Sequence, residues 1–132
     1  MTEQFNGAWQ LVSSEGFDEY MRCVGVGFPT RKIADMLKPD VIFSRKGDDC
    51  CLRTESTWKN TQLDFVLGVE FDETTADNRK CKTVITLENG ALVQVQKWDG
   101  KATTIKREVK NGQLIVTCIM DEAKCTRIYD KK

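Results

Sequence analysis

The chain has 132 residues, the length of one domain, and can bury about two thirds of the surface that it exposes when unfolded. Its 20 Lys and Arg residues equal its 20 Asp and Glu residues in number, so no net basic field favours a nucleic acid as partner. It has no histidine, and its six cysteines show no CxxC spacing. A zinc site, a redox dithiol and a histidine-activated nucleophile are therefore not expected, and we predict neither enzyme activity nor a cofactor.

The N-terminal sequence MTEQFNGAW lacks the charged and apolar regions of a secretory signal. No run of about 18 apolar residues, the length needed to span a membrane, occurs anywhere in the chain. We therefore expect a cytoplasmic protein in which the cysteines remain thiols.

The first predicted element is a strand around FNGAWQLVS, and a short amphipathic helix follows it. Apolar side chains recur at helical spacing at Phe17, Tyr20, Met21 and Val24. Ser14 or Asp18 is available as the N-cap of this helix.

A second short helix is predicted after the glycine-containing break GVGF. Pro29 suits its first turn, and Ile33, Met36 and Leu37 form an apolar stripe. Pro39 ends the segment, so the two helices together occupy about residues 15–37.

The rest of the chain has the pattern of an antiparallel meander. Turn signals lie at KGDD (46–49), ENG (88–90), WDG (98–100) and KNG (110–112). Closing such a meander into a barrel removes its exposed edges, and two helices then serve as a lid. The acidic segment EFDETTADNRK is interpreted as a solvated hairpin.

Two strands place arginine on an apolar face. In TTIKREV, Arg107 shares one face of the strand with Ile105 and Val109. In CTRIYDKK, Arg127 shares one face with Cys125 and Tyr129. A buried guanidinium cannot lose its proton and needs an anion or ordered water, and a carboxylate fits its planar fork of donors. Two alternatives remain open: each arginine pairs with an internal Asp or Glu, or the register is off by one residue.

The segments NGAWQLVSSEGFDEYM, TESTWKNTQLDFVLGVEFDETTADNRK, VQKWDGKATTIKREV and CTRIYDKK resemble the intracellular fatty-acid-binding proteins, in the group of the adipocyte, epidermal, heart and myelin members. The resemblance covers essentially the whole chain. It implies an all-β fold of the calycin (lipocalin-like) type, with residues 1–132 as one domain. The expected architecture is a ten-stranded antiparallel up-and-down β-barrel, or clam, capped by a two-helix lid.

The resemblance also implies a monomeric carrier of one long-chain fatty acid, with the carboxylate held by Arg107, Arg127 and Tyr129. The cavity positions that it implies are Phe17, Met21, Ala34, Pro39, Ala76, Asp77, Arg79, Ile105, Val116 and Cys118. Alternation along TESTW adds inward Thr54, which suits a cavity that keeps ordered water. Met36 and Trp58 are expected at the portal.

Arg22, Arg31 and Lys32 are interpreted as a basic patch on the lid. This patch is expected either to contact anionic membrane during ligand transfer or to act as a nuclear import signal, and an ordinary solvated helix face is the alternative. Retinoic acid is the alternative ligand, because carriers of retinoic acid resemble this pattern of two arginines and a tyrosine. Retinol is disfavoured, since its carriers have glutamines in place of the arginines.

Overall fold

The structure, a computed structural model, describes residues 1–132 and consists of ten β-strands, two α-helices and one 3₁₀ turn. The strands are β1 (Gly7–Glu15), β2 (Asp40–Lys46), β3 (Asp49–Glu55), β4 (Thr61–Phe65), β5 (Phe71–Thr74), β6 (Lys80–Glu88), β7 (Ala91–Trp98), β8 (Lys101–Lys110), β9 (Gln113–Met120) and β10 (Ala123–Lys131). The helices are α1 (Phe17–Val24) and α2 (Phe28–Met36), and the 3₁₀ turn is Glu3–Phe5.

All ten strands belong to one antiparallel sheet in the order β4-β3-β2-β1-β10-β9-β8-β7-β6-β5. The pairing of β1 with β10 joins the two ends of the chain and nearly closes the barrel. The one break lies between β4 and β5, where the rings of Phe65 and Phe71 stack at 5.9 Å. The predicted ten-stranded up-and-down barrel with two helices is confirmed.

The hairpin turns follow the sequence signals. Three turns have a positive φ at both central residues, Asn89 and Gly90, Asp99 and Gly100, and Asn111 and Gly112. The β9–β10 turn has no glycine and instead places Asp121 at a φ of 53°. A search for Asn-Gly and Asp-Gly pairs therefore does not find this last hairpin.

Helix α1 begins differently from the prediction. Its N-cap is Gly16, with a φ of 77° and no side-chain cap, so neither Ser14 nor Asp18 has that role. The chain reverses sharply here between β1 and α1, which requires a left-handed residue. Tyr20, Met21 and Val24 are buried, as the apolar spacing predicts.

Helix α2 lies over the barrel without burying any side chain. Ile33 is 45% exposed and Met36 is 79% exposed, so the predicted apolar stripe does not face the core. The helix is held mainly through α1 and forms the outer part of the lid.

The two ends of the barrel differ in how they are closed. The 3₁₀ turn inserts Phe5 beside Phe43, and Trp9 Nε1 donates a hydrogen bond to the Phe5 carbonyl at 2.9 Å. Gly16 approaches the start of β10 at Lys124, whereas Gly7 lies beside Lys131 at its end. The lid and the 3₁₀ turn therefore close opposite ends, and the core cluster lies between them.

We predict that Gly16→Ala destabilises the protein more than Gly112→Ala does. Both glycines have a φ of 77°, but a Cβ at Gly16 would lie 2.4 Å from the Lys124 carbonyl oxygen, whereas one at Gly112 meets nothing within 4 Å. Left-handed strain alone costs about 1 kcal/mol, and the clash raises the total at Gly16 to roughly 3 kcal/mol. Urea denaturation measures the free energy of unfolding of both variants. Equal losses of this free energy would contradict the explanation by close approach to Lys124.

Candidate ligand-binding site

Arg107 projects from β8 into the barrel. Its neighbours across the sheet are Leu92 on β7 and Val116 on β9, both buried. Its Nη1 donates a hydrogen bond to Gln94 Oε1 at 2.7 Å, and no ion pair in the structure includes it. Burial lowers the pKa of the Arg107 guanidinium below its ordinary value, yet an arginine remains charged.

Arg127 on β10 is only 6% exposed. Its Nη1 donates to Ser14 Oγ at 3.0 Å, its Nε donates to the Tyr129 hydroxyl at 3.4 Å, and its guanidinium lies 4.0 Å from the centre of the Phe17 ring. It takes part in no ion pair. The inward register of both arginines is thus as predicted, and neither is paired with an internal carboxylate.

A β-bulge in β1 places Ser14 beside this arginine. The register shifts between Leu11, which pairs with Tyr129, and Ser13, so that Ser14 is opposite Arg127. Simple alternation from the buried Leu11 would place Ser13 there instead. Sequence analysis considered Ser14 only as a helix cap, because nothing in the local sequence marks the bulge.

The pKa shifts of two neighbouring side chains, Cys118 and Tyr20, have different causes. Cys118 lies directly across from Cys125 on the adjacent strand. A hydrogen bond with Cys125 lowers the pKa of the Cys118 thiol against the effect of burial, and the charges of Arg107 and Arg127 lower it further. Burial raises the pKa of Tyr20, whose hydroxyl lies 2.7 Å from Thr103 Oγ1.

Glu73 is the interior residue that sequence analysis missed. It is 9% exposed and accepts hydrogen bonds from Thr83 Oγ1 at 2.9 Å and from the side-chain amides of Gln94 and Gln96 at 3.0 Å. The interpretation of its whole segment as a solvated hairpin is therefore wrong at this position. Glu73 shares its parity with Phe71, and that alternation was the available signal.

An internal compartment of about 100 Å³ lies beside these groups. Its lining consists of Leu52, Thr54, Thr61, Leu63, Glu73, Thr74, Thr75, Ala76, Gln94, Gln96, Ile105 and Arg107. Pockets for small molecules measure about 300–1,000 Å³, so a ligand of that size would have to displace side chains to enter this compartment. Of the cavity residues implied by the resemblance, only Ala76 and Ile105 line this compartment, together with inward Thr54.

The remaining cavity positions lie around the core or at its edge. Met21, Val116 and Cys118 belong to the buried core cluster, Phe17 and Ala34 pack against it, and Pro39 is buried. Asp77 and Arg79 form an ion pair of 2.7 Å. Hydrogen bonds from Arg79 and Thr75 outweigh burial and lower the pKa of the Asp77 carboxyl.

Arg79 also links the edge of the site to the interior. Its guanidinium lies 4.5 Å from the centre of the Trp98 ring, and its Nη1 donates to Gln96 Oε1 at 3.3 Å. The amide of Gln96 in turn donates to Glu73. A continuous set of polar contacts thus runs from the β5–β6 turn to the centre of the barrel.

The predicted portal residues lie on different segments. Trp58, in the β3–β4 loop, is half-buried, whereas Met36 on α2 is largely exposed. The Lys59 ammonium lies 4.8 Å from the centre of the Trp58 ring and donates to the Ala76 carbonyl at 2.7 Å. This contact joins the β3–β4 loop to the β5–β6 turn across the unpaired edges of the barrel.

The basic lid residues are partly neutralised. Arg22 and Arg31 both contact Asp18, at 3.4 Å and 3.1 Å. Arg31 also donates to the Val26 carbonyl, and its side chain is only 12% exposed. Lys32 is exposed. None of the helices has the length and hydropathy of a transmembrane segment.

Comparisons with known proteins agree on one family. Residues 6–132 match the model of the lipocalin / cytosolic fatty-acid binding protein family. The chain is 56% identical to the adipocyte fatty acid-binding protein of Pygoscelis papua over 131 residues, 99% of each chain. Its fold matches Echinococcus granulosus fatty-acid-binding protein 1 (TM-score 0.95, 41% identity, 98% of each chain).

It also matches the Schistosoma mansoni fatty acid binding protein in complex with arachidonic acid, with a TM-score of 0.95 and 35% identity over 99% of this chain and 98% of that one. Identity of this size over nearly the full length, together with the same barrel, confirms the resemblance described from the sequence. The chain belongs to the lipocalin / cytosolic fatty-acid binding protein family.

Proposed function

We propose that this protein is a carrier that binds one long-chain fatty acid inside the barrel, with the carboxylate held by Arg107, Arg127 and Tyr129. The observation that carries the proposal is the presence of two arginines in the interior that contact only neutral polar groups and an aromatic ring. Two buried guanidinium groups without an anion are unfavourable, and a ligand carboxylate removes that penalty. Relatives named as fatty-acid-binding proteins support the choice of ligand.

The head group and the tail have separate roles. Arginine offers parallel N–H donors and Tyr129 an O–H donor, so the three groups select an acid over an alcohol. A chain of roughly 16 carbons contributes about 11 kcal/mol, at about 0.8 kcal/mol per buried methylene. Ordering of the chain and displacement of side chains reduce this, so we expect dissociation constants between nanomolar and micromolar.

The edge of the barrel serves as the entry route in this proposal. The ligand passes between the lid and the β3–β4 and β5–β6 turns, beside the unpaired edges of β4 and β5, where Trp58 lies half-buried. As a monomer in the cytoplasm, the protein delivers the fatty acid to membranes or to the nucleus. Lys32 and Arg22 on the lid provide the positive charge that contacts an anionic membrane.

We expect Arg127→Gln to weaken oleate binding by roughly 1–3 kcal/mol, or about 5- to 150-fold, because it removes a charge-assisted contact. Arg107→Gln is expected to act in the same direction. Isothermal titration of delipidated protein measures both. Arg53→Gln is the control, since Arg53 is exposed and pairs with Glu55 on the outer surface.

Retinoic acid is titrated in the same experiment as a competitor. The proposal predicts tight 1:1 binding of oleate that retinoic acid displaces poorly. If retinoic acid binds more tightly than oleate, retinoic acid is the ligand, and the proposed contacts of its carboxylate with the arginines still apply. Equal oleate affinity in the wild type and both arginine variants would contradict the carboxylate site.

We further expect Lys59→Met to accelerate fatty acid release. The substitution removes the hydrogen bond to the Ala76 carbonyl that joins the two segments beside Trp58. Stopped-flow transfer of a fluorescent fatty acid to vesicles should show a several-fold higher dissociation rate. Lys46→Met, which removes an exposed charge far from the portal, is the control, and an unchanged rate in Lys59→Met would argue against this route.

A further inference from the structure

The ionised side chains inside the barrel do not sum to zero. Arg107 and Arg127 are positive and without carboxylate partners, whereas Asp77 neutralises Arg79 directly. Glu73 adds one negative charge, and every hydrogen bond at its carboxylate is donated to it, as ionised oxygens require. Without a ligand the interior therefore has a net charge of one positive unit.

Glu73 is coupled to Arg107 through a single amide. The carbonyl oxygen of Gln94 accepts from Arg107 Nη1 at 2.7 Å, while its NH₂ group donates to Glu73 at 3.0 Å. Gln96 connects Arg79 to the same carboxylate. Because both amides are engaged at both ends, Glu73 is fixed in position as the internal counter-charge of the arginines.

A ligand head group completes this charge balance only if it carries one negative charge. One carboxylate brings the interior to zero, a neutral head group leaves one positive charge, and a dianion leaves one negative charge. An uncompensated charge is unfavourable in an environment with few water molecules. The charge of Glu73 thus bears on the choice of head group and not only on the packing of the barrel.

We propose that Glu73 is a specificity-determining residue that makes the site select monoanionic lipid head groups and disfavour dianionic ones such as alkyl phosphates. The inference rests on the proposed function, because it requires the head group to lie at Arg107 and Arg127. Repulsion from Glu73 scales with the charge of the head group. When the charge of Glu73 is removed, the binding free energy of a dianion therefore improves by twice as much as that of a monoanion.

The test compares myristate with tetradecyl phosphate, below their aggregation concentrations, at about pH 8.5, where a phosphate monoester is dianionic. At an effective dielectric constant of about 20, one unit of head-group charge roughly 12 Å from Glu73 corresponds to about tenfold in affinity. In Glu73→Gln, the affinity for the phosphate relative to the carboxylate is therefore expected to rise about tenfold.

Two variants separate charge from structure. Asp72→Asn makes the same charge change on the next residue of β5, but Asp72 is exposed and pairs with Lys82 outside the barrel, so the affinity ratio stays at the wild-type value. Glu73→Asp keeps the negative charge, but its shorter side chain reaches its hydrogen-bond partners less well. The affinities for myristate and for tetradecyl phosphate therefore both fall, while the ratio between them stays unchanged. A tenfold shift in Glu73→Asp, or no shift in Glu73→Gln, overturns the proposal.

A pH series on the wild type and Glu73→Gln isolates the repulsion from Glu73, because the arginines are the same in both proteins. The phosphate changes from monoanion to dianion near pH 6, whereas tetradecyl sulfate remains a monoanion. Between about pH 5 and pH 8 the affinity for the phosphate relative to the sulfate should rise about tenfold more in Glu73→Gln than in the wild type, because only the repulsion from Glu73 differs between the two proteins, and an equal pH dependence in both refutes the role of Glu73. If the wild type binds no myristate, or Arg127→Gln binds it equally well, the proposed function itself fails.

Discussion

The central constraint on this structure is the burial of two guanidinium groups without carboxylate partners in a barrel whose interior holds one further unpaired charge, Glu73. Arg127 alone contacts a serine, a phenol and an aromatic ring, and none of these is an anion. Such an arrangement lowers the stability of the unliganded protein, and in the proposed function the same interactions raise its affinity for a carboxylate. The site is therefore prepared for its ligand at the expense of folding free energy.

The closing strand β10 connects this electrostatic feature to the architecture. It pairs with β1 on one side and β9 on the other, and so brings residues from both ends of the chain to Arg127. The bulge in β1 aligns Ser14 with Arg127, and the turn at Gly16, next to Lys124, starts α1 so that Phe17 lies against the guanidinium. The closure of the barrel, the start of the lid and the surroundings of Arg127 are thus parts of one local arrangement.

Sequence patterns predicted those parts of the fold and of the candidate site whose signal lies within a few residues along the chain. Asn-Gly and Asp-Gly pairs identified three hairpins, and alternation placed Arg107 and Arg127 inside the barrel. The bulge beside Ser14 and the inward position of Glu73 were not predicted, because the first depends on pairing with a distant strand and the second on which face of a short strand is covered. The exposure of Ile33 and Met36 on α2 was not predicted either, since a helix stripe does not reveal what it packs against.

The contrast between the sheet and the lid explains how a nearly closed barrel can admit a long ligand. Hydrogen bonds inside the barrel link Arg107 on β8 to Gln94 on β7, and link Gln94 and Gln96 to Glu73 on β5. These contacts therefore break only if the sheet opens. Helix α2 buries no side chain, and its contacts to α1 include the pairing of Arg31 with Asp18. Local opening requires the least free energy where the least apolar surface is buried. We therefore expect the lid and the adjacent unpaired edge to move during ligand exchange while the polar interior keeps its arrangement.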